Sequence, residues 1–596
     1  MDQYDLSTVV NKDEFQETVE FKQCPDVGRS LIAKRSLIPG EIILIEKPLL
    51  QYPLQPECRS SISRHFTKPL WKALNDLVKQ EDGDDRSTNG EKGKLEEQEE
   101  QEEEDEYEDE YEDEYEEDDK DTASLSGSSS SSPFCPGVPA AMLAYLGLMN
   151  ETQTSYDFFY YPEDKTHPTV KLVHRVAELA VEQLDAFRQV DPERMSQFVL
   201  KIYANAHTVA YESNRTITHK RKKERRRLSN RAQSQSFYAS SPESHGPRQT
   251  QSRIALLSWG SKFAHACAPN MFLQYEPATN VMVYTVIRPV SAGELLTFSY
   301  LPEDDRSLGG LVCGTRVLRH QKLHQFKFFD CACNRCVDWD WARGVGCDAC
   351  KEGPMYSKEA NVWLCQRCAH GTTDDHVRFL QRESHVQQIV IAFAARMYGS
   401  EPVSADMIRM MEAYLGDLLC PEKGEEDEEE EEQVPVPSFH WTYGVIHALL
   451  AMYHLKLFPQ SFGRGLAARL GMTPKGLQEA TVYMDFLNNC IWAHGNHAAA
   501  FFAGWRILQI VIDVIVEGTQ KKKFTTTAGS DSSDEELEEQ FEVTPMPEDW
   551  VNHVQSILRI VDEWLPLIKE VFRLRRSTVV DEAIEKIQLL KERAQL

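Results

Sequence analysis

The sequence predicts an α+β chain in which a β-rich unit is split by a helical insert and closed by a zinc-binding segment. A second small zinc module and an all-α C-terminal domain follow. Three observations carry this reading. Apolar runs bounded by turn residues lie at 27–50 and again before Tyr300, with helical periodicity between them. Eight of the fourteen cysteines fall into two groups with metal-ligand spacing. From Asp374 onward apolar residues recur at intervals of three and four.

Residues 1–20 show no strong pattern, and MDQYDLSTVVNKDEF has no basic stretch followed by an apolar core, so no secretory leader is expected. Over 27–50, Leu31-Ile32-Ala33, a Pro39-Gly40 turn and Ile42-Ile43-Leu44-Ile45 read as buried strands, giving residues 1–50 as the first part of the β-rich unit. Residues 51–135 read as an acidic and Ser-rich disordered insertion, with Trp71, Leu74 and Leu77 suggesting one short helix at its start. The acidic runs 96–119 and 425–432 hold 27 carboxylates, which accounts for nearly all of the formal charge of -30. These tracts are read either as a surface for basic partners such as histones or as solubilising linkers.

In residues 136–215 the segments AAMLAYLGLMN, VHRVAELAVEQLDAF and MSQFVLKIYANAHTVAY repeat apolar residues at helical spacing and predict a helical insert. Residues 216–252 form a Ser-, Gln- and Pro-rich loop carrying HKRKKERRR. It reads as a nuclear import signal, a nucleic-acid contact, or a loop that pairs with the acidic tract. The second part of the β-rich unit is expected over 253–304.

The segment 305–340 contains Cys331, Cys333 and Cys336 in a CxCxxC arrangement, one ligand short of the tetrahedral thiolate set that structural zinc prefers; Cys267 is the natural fourth donor. Residues 341–372 hold Cys347, Cys350, Cys365 and Cys368, two CxxC pairs with zinc-ribbon spacing. A structural staple is the default role for that ribbon, and a peptide- or nucleic-acid-binding surface the other. The clustered cysteines favour a reducing compartment, so the expected location is nuclear, cytoplasmic or both.

Residues 373–596 read as helices, with acidic loops at 422–433 and 530–540 and a break or kink at Pro566. No 34-residue period is visible. The apolar stretch 498–516 carries Arg506, Gln509 and Asp513 on one stripe, so a buried soluble helix is expected rather than a membrane span.

AHACAPN (264–270), GELLTFSY (293–300), DVGRSLIAKRSLIPGEIILIEKPLL (26–50) and KIYANAHTV (201–209) occur in an order that resembles the SET-domain lysine methyltransferases, most closely the SMYD branch. The resemblance covers about a quarter of the chain. It implies a split SET domain, a post-SET zinc site fed by Cys267, and a C-terminal helical domain similar to tetratricopeptide repeats. The MYND finger of that branch is missing, since only Cys58 lies where its cysteine cluster would be.

The implied activity is S-adenosylmethionine-dependent methyl transfer to lysine side chains of a protein substrate, histone or non-histone. The alternative is a SET-fold zinc scaffold, weak or inactive in catalysis, serving protein interaction or transcriptional regulation. By the resemblance Tyr300 is catalytic, and Gly28, Arg29, Ser30, Asn205, Ala264, His265, Tyr300 and Phe329 hold the cofactor, Phe329 stacking on its adenine. Ala264 departs from the family, which has an asparagine there.

Overall fold

The computed structural model describes residues 6–24, 28–54, 65–88, 137–148, 156–212, 250–301, 313–359, 362–377, 379–398, 403–416, 436–457, 466–527, 536–543, 545–571 and 578–595. The acidic runs 96–119 and 425–432 and the basic run 219–227 lie outside them.

The opening residues are not patternless. A helix, Lys12–Thr18, buries Phe15 and leads into strand β1 (Val19–Cys24), which pairs antiparallel with β2 (Gly28–Ala33). Gly28 has φ +70°, a backbone region that favours glycine, and it sets the start of β2. The Pro39-Gly40 turn leads to β3 (Ile42–Glu46). Gly40 has φ +92°, and a Cβ there would stand 3.0 Å from the Glu570 carbonyl oxygen, so the turn also lets a C-terminal helix approach closely.

Strand β4 (Leu50–Pro53) and the helix Lys68–Thr88 both fall inside the insertion expected to be disordered over 51–135. Leu74, Leu77 and Val78 bury into the core of the helical insert, so enough apolar surface exists in 65–88 to offset the entropy of ordering it. The insert continues with helices Gly137–Leu148, Pro168–Gln183 and Pro192–Asn205. The last starts at Asp191, whose carboxylate accepts from the N–H groups of Glu193 (3.0 Å) and Arg194 (3.3 Å), with Pro192 in the first turn. It stops at Asn205. The following HTVAYE, expected as helix, is strand β5 (His207–Glu212), because its backbone pairs along its whole length with β6 (Thr250–Leu256). Thr208 and Val209 suit that extended state.

Beyond β6 come β7 (Ala264–His265), β8 (Met271–Glu276), β9 (Val281–Val286) and β10 (Thr297–Phe298). The sheets are three-stranded, β3-β9-β8 and β4-β6-β5, with β7 and β10 a short parallel pair. All six residues of β9 are buried, as a central strand between two packed faces requires. A helix, Arg316–Lys327, and a short turn of helix, Asn334–Val337, lead to a four-stranded hairpin sheet built from Val345–Gly346, Pro354–Glu359, Val362–Cys365 and Gly371–Thr372.

The remainder is mostly helical. Helix Glu548–Val571 runs through Pro566 without a break, one of the two outcomes expected there. Its ten buried residues, among them Trp550 and Trp564, hold it against neighbours strongly enough to tolerate one missing backbone bond. Residues 536–540, expected as acidic loop, belong to a strand (Glu536–Val543) that pairs with Gln520–Thr527. The helix Leu466–Phe486 falls within the region read as helical and continues through Pro474. Helix His497–Gly518 is long and apolar enough to cross a membrane, and 61% of its most apolar window is buried inside the protein.

This helical region docks on the β-rich unit. Phe272 of β8 stacks on Phe502 at 4.8 Å and 9°. One continuous core runs from Cys267, Cys331 and Cys336 through Leu449 and Leu508 to Trp564.

Candidate active site

Two distant stretches are brought side by side by the parallel pair β7–β10, in which Ala264 lies opposite Thr297 and His265 opposite Phe298. Asn270, fully buried, staples them: its Oδ1 accepts from the Thr297 N–H (2.7 Å) and its Nδ2 donates to the Leu295 carbonyl (2.8 Å). A second anchor is Glu46, also fully buried. Its carboxylate accepts from the backbone N–H groups of Ser258 (2.8 Å), Trp259 (3.0 Å) and Gly260 (2.8 Å) and from the Thr8 hydroxyl (2.8 Å). Burial raises the pKa of Glu46, and these donors oppose that rise. It fixes the turn that precedes β7, a role a strand-end glutamate does not announce in sequence.

Tyr300 follows two residues after β10. Its backbone N–H donates to His265 Nδ1 (2.9 Å), so the neutral ring carries its proton on Nε2, which faces Cys267 Sγ at 3.3 Å. The Tyr300 hydroxyl donates to the Phe263 carbonyl (2.6 Å). The helix Arg316–Lys327 ends at Phe328, held at φ +64°, and this reversal turns Phe329 toward the other two rings. Phe329 lies 5.9 Å from His265 and 6.1 Å from Tyr300, the latter near perpendicular at 89°.

The cysteine groups are assembled as two sets of four. Within Cys267, Cys331, Cys333 and Cys336, and within Cys347, Cys350, Cys365 and Cys368, all sulfurs lie within 4.8 Å of one another. A tetrahedral zinc with arms of about 2.3 Å needs sulfurs about 3.8 Å apart. The Cys267–Cys336 separation is 3.5 Å, and Cys347–Cys368 and Cys350–Cys365 are both 3.7 Å, so each set could hold zinc. Around the first set the buried Arg319 approaches Cys336 Sγ (3.8 Å) and Arg335 donates to the Cys267 carbonyl (3.0 Å). The two guanidiniums would partly offset the net -2 that zinc with four thiolates would carry, the Asp340 carboxylate also lying 3.9 Å from Arg319. Asn496, at the start of helix His497–Gly518, completes the node when its amide is turned to satisfy both ends: the nitrogen then donates to the Cys267 carbonyl (3.1 Å) and the oxygen accepts from Arg335 Nη1 (2.7 Å).

Between these parts opens a cleft of about 500 Å³. Gly28, Ser30, Asn205, Ala264, His265, Tyr300 and Phe329 all line it. The Arg29 side chain is outside the described residues, although its backbone lies on β2. Sequence reasoning did not single out Tyr160, Lys262, Lys327 and Asp330, which also line the cleft. Lys327 in particular looks in sequence like one more cation at a helix C-terminus. It donates instead to the carbonyls of Tyr203 (2.8 Å), Ala206 (3.3 Å) and Ala204 (3.5 Å), with its ammonium 5.6 Å from the Tyr300 ring centre.

Asn205 does not present its whole amide. Its Nδ2 donates to the carbonyls of Tyr160 (2.7 Å) and Lys201 (2.8 Å), so only Oδ1 remains to accept from a ligand. Burial raises the Tyr300 pKa, keeping it a neutral phenol. Nearby, His207 packs on Phe298 at 5.2 Å, and burial together with the Lys327 charge pushes its pKa down to about 3.

Residues 28–301 match the SET domain family, so a SET domain spans these residues, from the first glycine of the cleft to the residue after Tyr300. Members of that family are typically protein-lysine methyltransferases. Among curated proteins, none matches the chain.

Proposed function

We propose that this protein is an S-adenosylmethionine-dependent protein-lysine methyltransferase of SMYD-like architecture, its first zinc set acting as a post-SET site and its C-terminal helices as a domain similar to tetratricopeptide repeats. The observation that carries the reading is the convergence of residues 28, 30, 205, 264, 265, 300 and 329 on one cleft beside a four-cysteine node. The volume is within the range of about 300–1,000 Å³ typical of small-molecule sites.

Bound in this cleft, S-adenosylmethionine supplies a methyl group on a positively charged sulfur. The protein's task is to hold a lysine amine in line with it and in its neutral form, because only the neutral amine has a lone pair. At pH 7 that form costs about 4.6 kcal/mol for a free lysine. His207, packed on Phe298, is kept neutral first by its own burial and then by the Lys327 charge. Lys327, above the Tyr300 ring, would act on an incoming ammonium in the same sense.

Tyr300 spends its proton on the Phe263 carbonyl, which leaves the oxygen lone pairs to accept from the amine and to line the methyl path. Its raised pKa makes it a poor base at neutral pH, so its role is orientation. Phe329 offers a flat apolar face for the adenine.

The second reading is a zinc scaffold with little turnover, and Ala264 is the observation in its favour. The test is methylation of a whole-cell lysate followed by mass spectrometry of lysine adducts. Wild-type protein is expected to add methyl groups, and Tyr300→Phe to slow transfer by about 10²-fold or more, the scale expected when reactants are misplaced. Tyr300→Phe that methylates as fast as wild type removes the assigned residue. Calorimetry showing no S-adenosylmethionine binding at millimolar concentration favours the scaffold.

A further inference from the structure

Two walls of the cleft are carried on helices that cap one another. Asn205 closes the helix Pro192–Asn205 of the insert, and Phe329 lies two residues beyond the helix Arg316–Lys327 of the cysteine-bearing segment. A helix leaves its last four carbonyls without partners of its own. Here each helix has some of them satisfied by the other element. Lys327 Nζ donates to the carbonyls of Tyr203 (2.8 Å), Ala206 (3.3 Å) and Ala204 (3.5 Å), a cation at the negative end of a helix. In return, the His324 carbonyl accepts from His167 (3.2 Å) and the Gln325 carbonyl from the Thr169 hydroxyl (2.9 Å), both at the start of the insert helix Pro168–Gln183.

His167 serves both helices. Its Nδ1 accepts from the Thr169 N–H (3.2 Å), so the neutral ring carries its proton on Nε2, the atom that faces the His324 carbonyl. The same ring packs on Phe328, 5.0 Å away at 73°. Phe328 is the residue at φ +64° whose reversal brings Phe329 to the cleft, and a non-glycine residue stays in that region only where its surroundings hold it. Neither His167 nor Thr169 is among the residues that line the cleft.

We propose that Lys327, His167 and Thr169 are positioning residues that clasp the insert to the cysteine-bearing segment and so hold Asn205 and Phe329 as walls of one cleft. The inference rests on the methyl-transfer reading for the identity of the ligand. A ligand that needs both walls binds only the fraction of chains in which they are clasped, so its apparent affinity falls with that fraction.

Acid should open the clasp. A second proton on His167 must sit on Nδ1, where it abolishes the cap and puts a cation at the positive end of Pro168–Gln183. The groups around the ring are Asp164 in the loop before it and, on the facing helix, His324, with Asp330 3.6 Å from His324 and Lys327 at the same helix end. Burial is the first cause holding the His167 pKa below the ordinary 6.5, so protonation falls in the acid range below that value.

The test is calorimetry of S-adenosylmethionine into the zinc-loaded full chain, with zinc content and thermal melts on the same preparations. At pH 7.5 Lys327→Met is expected to weaken binding about tenfold, the scale of a hydrogen bond to a charged group, and Thr169→Val about threefold, that of a neutral one. Lys327→Arg should restore most of the first loss. His167→Gln, whose amide accepts and donates without titrating, should bind within about twofold of wild type at pH 7.5. Between pH 7.5 and pH 5.5 wild type should lose about threefold more affinity than His167→Gln.

Variants that melt lower yet bind the cofactor as wild type does would reduce the capping to a stability device and overturn the inference. A loss confined to Lys327→Met overturns it too, because Lys327 lines the cleft and would then act on the ligand directly. Identical pH profiles for wild type and His167→Gln do the same. In all three cases wild-type binding leaves the methyl-transfer reading standing. A wild-type chain that binds no S-adenosylmethionine at millimolar concentration removes that reading and this inference with it.

Discussion

The two four-cysteine sets share one chemistry and differ in everything around it. The first gathers Cys267 from the loop after β7 and three cysteines from a segment more than sixty residues later. It is mostly buried, with two arginines, His265 and Asn496 against it. The second draws all its ligands from one hairpin of 22 residues, with Cys368 exposed and Cys350 half-buried. The ribbon closes on itself. The first set joins two parts of the chain far apart in sequence, and both carry residues of the cleft. Structural zinc contributes about 10–16 kcal/mol in small peptides, comparable with the roughly 5–15 kcal/mol stability of a whole domain. Losing one set should therefore alter the cleft, and losing the other should alter only a hairpin.

The sharpest way to break this contrast is to remove one ligand from each set. Cys267→Ser and Cys365→Ser should each lower the zinc content from two ions per chain to one. Cys267→Ser should also weaken S-adenosylmethionine by more than about 100-fold, beyond the 10–100-fold typical of groups that only support metal ligands. Cys365→Ser should leave cofactor affinity within about threefold, as for sites with no shared partner. Metal analysis and calorimetry on the same preparations decide the matter, and equal cofactor losses would abolish the distinction between the sets.

How much of this was readable in sequence follows from the range of the interactions. The ribbon is local, and its two CxxC pairs predicted it from spacing alone. Cys267 was assignable because thiolate zinc sites have a fixed ligand number, which turns three clustered cysteines into a search for a fourth. Helices with strong periodicity, such as Pro168–Gln183, were visible for the same local reason. What sequence did not show depends on partners far along the chain. Glu46 works through N–H groups more than two hundred residues away, and Lys327 through the end of a helix about 120 residues earlier. The strand β1 was hidden because its burial pattern does not alternate cleanly, and β5 because its register partner lies beyond a long insertion.

A finer contrast concerns how the first set is tied to the helical domain. Asn496 and Arg335 both hold the Cys267 carbonyl, and the Cys267 sulfur faces His265, whose other nitrogen accepts from Tyr300. Asn496→Ala removes one support and leaves the four thiolates in place. Zinc content should stay at two ions per chain, while cofactor affinity falls about three- to tenfold, near the lower end for support residues. Arg335→Lys cannot span both the carbonyl and the Asn496 amide and should lose a similar amount. An unchanged affinity in both variants would show that the helical domain only rests on the node.

The smallest expected effect separates the cleft from the helical core through pH. His207 near the cleft and His454 within the helices both have pKa values below the usual imidazole value, at about 3 and about 4, burial being the first cause of each. Both rings are therefore neutral in the folded chain at pH 5, while the unfolded chain protonates them near pH 6.5. The unfolded state binds more protons between pH 6.5 and about 4, so stability must rise with pH across that window and fall as acid is added. Thermal melts at pH 7 and pH 5 should show the lower midpoint at pH 5. His454→Gln should flatten part of that slope without altering cofactor binding. His207→Gln should flatten another part and also change cofactor or substrate affinity, because its ring packs on Phe298 beside Tyr300. If both substitutions flatten the slope and neither touches binding, His207 belongs with the scaffold and the corner beside Tyr300 does not report on the reacting amine.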